Sequence, residues 1–145
     1  MKKLILTFIV ITCASSLAVA QNAKRRAVKT GPPNGIFTPA IVAGDLVFTS
    51  GQIGVDAKGQ IVEGGIEAQT EQVFRNLATV LEAAGSSVDN IVKATVFLAD
   101  MNDYNAMNEL YKKHFKGDPP ARTTVQVARL PRDAKIEIEA VAVLK

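Results

Sequence analysis

The sequence predicts an α+β domain: a mixed β-sheet with two helices packed on one face. Three observations lead there. Residues 66–84 place apolar side chains at helical spacing, the runs 119–127 and 136–142 alternate with period two, and the chain reads strands, helix, strand, helix, two strands. One sheet covered on one face buries both helical stripes at once. Its other face, partly apolar, then has no cover, which predicts association with further copies.

The N-terminus precedes the fold. Met1-Lys2-Lys3, the apolar run from Leu4 to Ile11 and the small-residue pattern Ala18-Val19-Ala20 read as a removable export signal over residues 1–20, with Gln21 as the new N-terminus. The apolar run is interrupted by Thr12, Ser15 and Ser16 and is short of the roughly 20 residues that span a bilayer. A lipoprotein signal ending at Cys13 fits less well, because Thr12 is a poor small residue before it. Export places the protein in the periplasm or outside the cell. Cleavage takes Cys13, the only cysteine, and lowers the net charge from +3 to +1, because Lys2 and Lys3 leave with the signal. No thiol remains to oxidise, and the pull on nucleic acid is weak.

The rest follows in chain order. Residues 21–35 form a polar lead-in and a Gly/Pro loop, with Lys24-Arg25-Arg26 read as a solvated tail, and residues 36–145 form the domain. Residues 37–43 and 46–50 are strands about the hairpin signal Ala43-Gly44-Asp45, and Asp56-Ala57-Lys58-Gly59 makes another turn. In the first helix Ile66, Thr70, Val73, Phe74, Leu77, Val80, Leu81 and Ala84 share a stripe, and Gly85 stops it. Residues 91–98 read as a largely buried strand. Asp100 caps a second helix over residues 101–115, with Tyr104, Met107, Tyr111 and Phe115 on one side, and Asp118-Pro119-Pro120 breaks it. The two C-terminal runs flank a turn at 128–133 and are expected to pair as a hairpin. That pairing sets Thr124 opposite Glu137 and Arg122 opposite Glu139.

Several chemistries are excluded. One histidine and no mature cysteine are too few for a His/Cys metal site in one chain. There is no Gly-x-Gly-x-x-Gly or Walker-type glycine pattern and no Gly-x-Ser-x-Gly elbow. His114, in a cationic helix end, reads as a surface or capping residue. An arginine and two carboxylates on adjoining strands suit a small anionic substrate and a hydrolytic water. Arg122 has two readings: an ion pair with Glu137 or Glu139, or a fork that binds a substrate carboxylate bidentately. Glu137 is either a paired charge or a general base. Ser50-Gly51 is either a plain strand end or a place where a hydroxyl and bare backbone approach a ligand.

At these residues the chain resembles the reactive intermediate/imine deaminase A (RidA, YjgF-like) family. The likeness lies in Leu46-Val47-Phe48-Thr49-Ser50-Gly51-Gln52-Ile53, Glu82-Ala83-Ala84-Gly85-Ser86-Ser87 and Val96-Phe97-Leu98-Ala99-Asp100-Met101-Asn102-Asp103. It continues through Pro120-Ala121-Arg122, Ala128-Arg129-Leu130-Pro131 and Ile136-Glu137-Ile138-Glu139-Ala140, so it covers nearly the whole mature chain. The resemblance implies a chorismate-mutase-like homotrimer with clefts between subunits. It also implies hydrolysis of enamines and imines such as 2-aminoacrylate/2-iminopropanoate to a 2-keto acid and ammonia, with no metal or organic cofactor. It makes Arg122 the carboxylate-binding residue and Glu137 the group that handles the attacking water, with Phe37, Ser50, Gly51 and Thr124 as substrate-binding residues lining the cleft. Phe37 stands where the family has a tyrosine, Thr124 where it often has a cysteine, and Pro39 where it has a glutamine. Two alternatives stay open: a non-catalytic trimer that binds small carboxylates such as 2-keto acids, and an RNA-binding or endoribonuclease-like translation inhibitor.

Overall fold

A computed structural model describes residues 25–31 and 35–145. The expected export signal, with Cys13 and the cleavage point, lies outside the described residues. The strands are β1 (Arg26–Val28), β2 (Ala40–Ala43), β3 (Leu46–Thr49), β4 (Gln52–Ile53), β5 (Ile91–Leu98), β6 (Ala121–Gln126) and β7 (Ile136–Val143). The helices are α1 (Gly65–Ala84) and α2 (Tyr104–Tyr111). They form one mixed sheet of order β1-β2-β3-β7-β5-β6, with β4 continuing the β3 side of β7.

The helical stripe of α1 buries Ile66, Val73, Phe74, Leu77, Val80, Leu81 and Ala84 against one face of the sheet. Each fully buried Leu, Val or Phe there contributes about 1.5–3 kcal/mol by leaving water. Gly85, at φ 92°, ends the helix in a Schellman turn: its N–H reaches Glu82 O (3.0 Å), and Ser86 N–H reaches Leu81 O (2.8 Å). Ser86 Oγ then donates to Val143 O (2.6 Å) and ties the helix end to β7.

The second helix is shorter than its stripe suggests. Asp100 caps the opening 3-10 turn at 101–103, accepting Asn102 N–H at 2.9 Å, while the eight-residue α2 begins only at Tyr104 without a side-chain cap, and residues 112–114 wind as another 3-10 turn. Asn102 and Asp103 are weak helix formers, which suits the tighter opening turn. His114 stacks on Phe74 (3.9 Å between ring centres), with Nε2 3.5 Å from Glu71 Oε1. Burial holds its pKa below the ordinary value, against the pull of Glu71.

Two expectations are corrected. The lead-in is not wholly a tail: Arg26–Val28 pair antiparallel with β2, and Arg26 Nη2 donates to Ala84 O (2.9 Å) at the C-terminal end of α1. The C-terminal runs do not form a hairpin. β5 lies between them, parallel to β6 and antiparallel to β7. The connection from Gln126 to Ile136 is far longer than a two-residue hairpin turn, and crossing one intervening strand takes only about 10 Å between strands two apart. Likewise β5, α2 and β6 make a crossover of the βαβ kind, which is how parallel neighbours are joined.

The register fixes which side chains share a face. Ala94, Val96 and Leu98 of β5 point to the helices, and their partners on β6 are Arg122, Thr124 and Gln126. On β7 the helix-facing residues are Ile136, Ile138, Ala140 and Ala142. Glu137, Glu139, Val141 and Val143 therefore lie on the other, open face. That face also carries exposed Leu46, Phe48 and Val125, and no described element covers it.

Candidate functional site

Glu137 owes its surroundings to an irregularity in the sheet. Phe48 pairs with Val141, and the next register pair is Gln52 with Ile138, so Thr49, Ser50 and Gly51 oppose only two residues of β7. This is a β-bulge, which bends the strand and re-aims side chains. Thr49 Oγ1 fills the break by accepting Ala140 N–H (2.9 Å). Ser50 is pinned to the preceding loop, its N–H to Pro39 O (2.9 Å) and its Oγ to Thr38 O (2.7 Å). Gly51 then passes directly beneath the Glu137 side chain. A methyl group on Gly51 would stand 2.7 Å from Glu137 Cδ and 2.9 Å from Cγ, so an alanine there would push the Glu137 side chain aside.

The Glu137 carboxylate sits in a crevice of about 640 Å³ with Phe37, Ser50, Gly51 and Arg132, walled by Ile36, Ile53, Val55 and Pro131. It makes no ion pair among the described residues. Desolvation, and secondarily the charge of Glu139, raise its pKa above the ordinary carboxylate value. A carboxylate whose proton affinity is raised in this way is suited to taking a proton from water.

Arg122 and Thr124 lie elsewhere. Arg122 is on the helix face, with its guanidinium 4.5 Å above the Tyr111 ring and 5.7 Å from that of Tyr104. Nη2 approaches Tyr104 Oη at 3.4 Å, and Nη1 lies 3.9 Å from Met107 Sδ. No carboxylate pairs with it among the described residues. The ion pair with Glu137 or Glu139 is therefore ruled out within one chain, since those side chains occupy the opposite face. Arg122 instead lines a cavity of about 370 Å³ with Asn108, Tyr111, Pro119 and Pro120. Three oxygens in this region, Asn108 Oδ1, Tyr111 Oη and Thr124 Oγ1, are buried without a hydrogen-bond partner among the described residues. Burial pushes the Tyr111 phenol up to about 12, against the charge of Arg122, so it stays a donor. The Asn108 amide and Arg122 hold the Tyr104 phenol below its ordinary value.

The expected site residues thus fall into two groups. Phe37, Ser50, Gly51 and Glu137 share one crevice, and Arg122 and Thr124 share the opposite face of the sheet at its β6 edge. Reading the C-terminal runs as a hairpin set Arg122 and Thr124 beside Glu139 and Glu137, and intrachain geometry separates them. Asn108 was missed, although positions 104, 108 and 111 share one helical stripe with helical spacing. Arg132 was missed because a Pro-Arg-Asp turn carries no sign of where its side chain goes.

A family model described as Endoribonuclease L-PSP matches residues 28–144. The chain belongs to that family. Within this RidA/YjgF family, a RutC family protein of Pyrococcus horikoshii is 50% identical over 111 residues, 76% of this chain and 88% of that protein. The human protein named 2-iminobutanoate/2-iminopropanoate deaminase is 45% identical over 123 residues, 82% of this chain and 90% of that one. The crystal structure of E. coli TdcF with bound serine superposes with a TM-score of 0.76 at 39% identity, covering 83% of this chain and 99% of that one. The mixed sheet with two helices is the fold of these family structures.

Proposed function

We propose that this chain is an exported imine/enamine deaminase, active as a homotrimer whose clefts pair the Arg122 edge of one protomer with the Glu137 crevice of its neighbour. One observation carries the reading. Each half of the site holds a charged group without an ion-pair partner among the described residues: the Arg122 guanidinium meets no carboxylate, and the desolvated Glu137 carboxylate is paired with no cation, although Arg132 lines its crevice. Unlike groups left open on opposite faces suit a heterologous contact closed by rotation. The name of the human relative, and the uncovered apolar face, support the same reading.

In this mechanism Arg122 binds the α-carboxylate of a 2-imino acid through its fork, and Phe37 packs against the substrate. Glu137 takes a proton from water as the oxygen attacks the imine carbon, so a C–O bond forms while the C=N pair moves to nitrogen. That proton passes to the nitrogen to give the tetrahedral carbinolamine. Glu137 then takes the hydroxyl proton and returns it to the amino nitrogen, so the C–N bond breaks as the C=O bond forms and ammonia leaves a 2-keto acid. No redox change occurs. Binding without turnover is the competing reading, because Phe37 lacks a phenol hydroxyl and Thr124 replaces a thiol.

The test is a panel of imino acids generated in situ with protein starting at Gln21, wild type beside Arg122→Ala. Wild type accelerates keto-acid release and the variant loses the acceleration. Saturable keto-acid binding with no turnover would instead select the binding module. Export is checked by fractionating cells and sequencing the mature N-terminus, with Gln21 expected first. A cytoplasmic protein that retains Met1 would overturn it.

A further inference from the structure

The loop from Arg129 to Asp133 is largely exposed and is closed on itself by a local ion pair. Arg129 grips Asp133 through two N–H···O bonds of 2.7 and 3.1 Å. Arg132 and Asp133, at φ 59° and 56°, are the non-glycine residues that stand in the left-handed region among the described residues. Such conformations persist only where surrounding contacts over-determine them, and they gather at ligand sites. Here they carry the Arg132 side chain across to the turn at 56–59, where Nη1 donates to Gly59 O.

That tether holds the guanidinium against the Glu137 crevice, where Arg132 is the one cation among the described lining residues. Asp133 already engages Arg129, whereas Arg132 meets no carboxylate among the described residues. A guanidinium has five N–H donors in a rigid fork, so the bond to Gly59 leaves most of them for a ligand. A fork fixed at an otherwise largely apolar crevice suits bidentate recognition of a carboxylate.

We propose that Arg132 is a specificity residue that binds a second carboxylate, on the substrate side chain, so that the preferred imines derive from amino acids with acidic side chains. The inference rests on the deaminase reading above, in which Arg122 holds the α-carboxylate and Glu137 works at the C=N bond. The distal carboxylate then lies at Arg132, and Phe37, Ile53 and Val55 offer nonpolar contact to the methylene stem.

Two measurements on the intact mature protein separate this inference from the reading beneath it. The first compares kcat/KM for the imines of glutamate and norvaline, which have the same chain length. The second compares, by calorimetry, the binding of 2-oxoglutarate and 2-oxopentanoate. Wild type should favour the dicarboxylate by about tenfold or more in both, the scale of a hydrogen bond to a charged group. Arg132→Gln should erase the preference, and Arg132→Lys should keep part of it, because the charge stays and the fork is lost. A preference that is absent in wild type, or unchanged in Arg132→Gln, overturns the assignment. An Arg132-dependent binding preference with neither imine turned over would uphold Arg132 and sink the deaminase reading.

Discussion

At the scale of single residues, the proposed chemistry depends on how closely Glu137 is held. Its carboxylate lies over bare backbone at Gly51 and is half-buried, so its position and its proton affinity have the same origin. Gly51→Ala forces the carboxylate aside. Overpacking of this kind costs about 1–3 kcal/mol, so the melting temperature should fall modestly while kcat drops much further. A variant with lowered stability but wild-type kcat would show that the contact is only packing. The pKa shift makes a second prediction. A raised carboxyl binds its proton more tightly in the folded state, so folding pays nothing below the ordinary pKa of 4.5 and loses stability as pH rises from there through the raised value. The ionised form is also the one that accepts a proton from water, so activity should fall on the acid side at a higher pH than an ordinary glutamate gives. Glu139→Gln removes the smaller cause of the shift, and the acid limb of the kcat profile should move to lower pH. No movement would mean that burial alone sets the value.

At the scale of elements, α2 and β6 build the Arg122 half-site by stacking Tyr111 and Tyr104 beside the guanidinium. The Tyr111 hydroxyl is buried with no partner among the described residues, a cost that Tyr111→Phe removes. That variant should be more stable by about 1 kcal/mol, measured by urea unfolding, and should bind 2-oxobutanoate several-fold more weakly. Unchanged affinity would place the hydroxyl outside the binding site. These elements also show what can be read from sequence. The α1 stripe, its Gly85 stop, the 43–45 hairpin turn and the buried strand at 91–98 are local patterns, and each is present as its residues suggest. Period-two alternation in 121–126 and 136–142 identifies strands and their faces, but says nothing about which strand lies beside which. The register of β6 and β7 on β5 puts Arg122 and Glu137 on opposite faces, a long-range fact with no local signature. The bulge at 49–51 is likewise set by pairing with β7, although Ser50-Gly51 marks its place.

For the whole molecule, the separation of Arg122 from Glu137 turns the question of activity into one of assembly. A single protomer presents half of the proposed site at its β6 edge and the other half in the crevice beside the bulge, and its open sheet face leaves Leu46, Phe48, Val125 and Val143 exposed. If each cleft takes Arg122 from one protomer and Glu137 from the next, Arg122→Ala and Glu137→Gln should each abolish turnover alone yet complement each other. Mixed, dissociated and reassembled in equal amounts, they should restore about a quarter of the wild-type clefts, the share in which both contributing protomers carry the intact group under random assortment around a ring. Mixing without dissociation should restore nothing. The readout is imine turnover per trimer, with the trimer verified by light scattering. Persistent inactivity in verified mixed trimers would mean that the two groups serve separate sites, and Glu137 would then need another partner for the substrate carboxylate. Arg132, already in its crevice, is the group that geometry would supply.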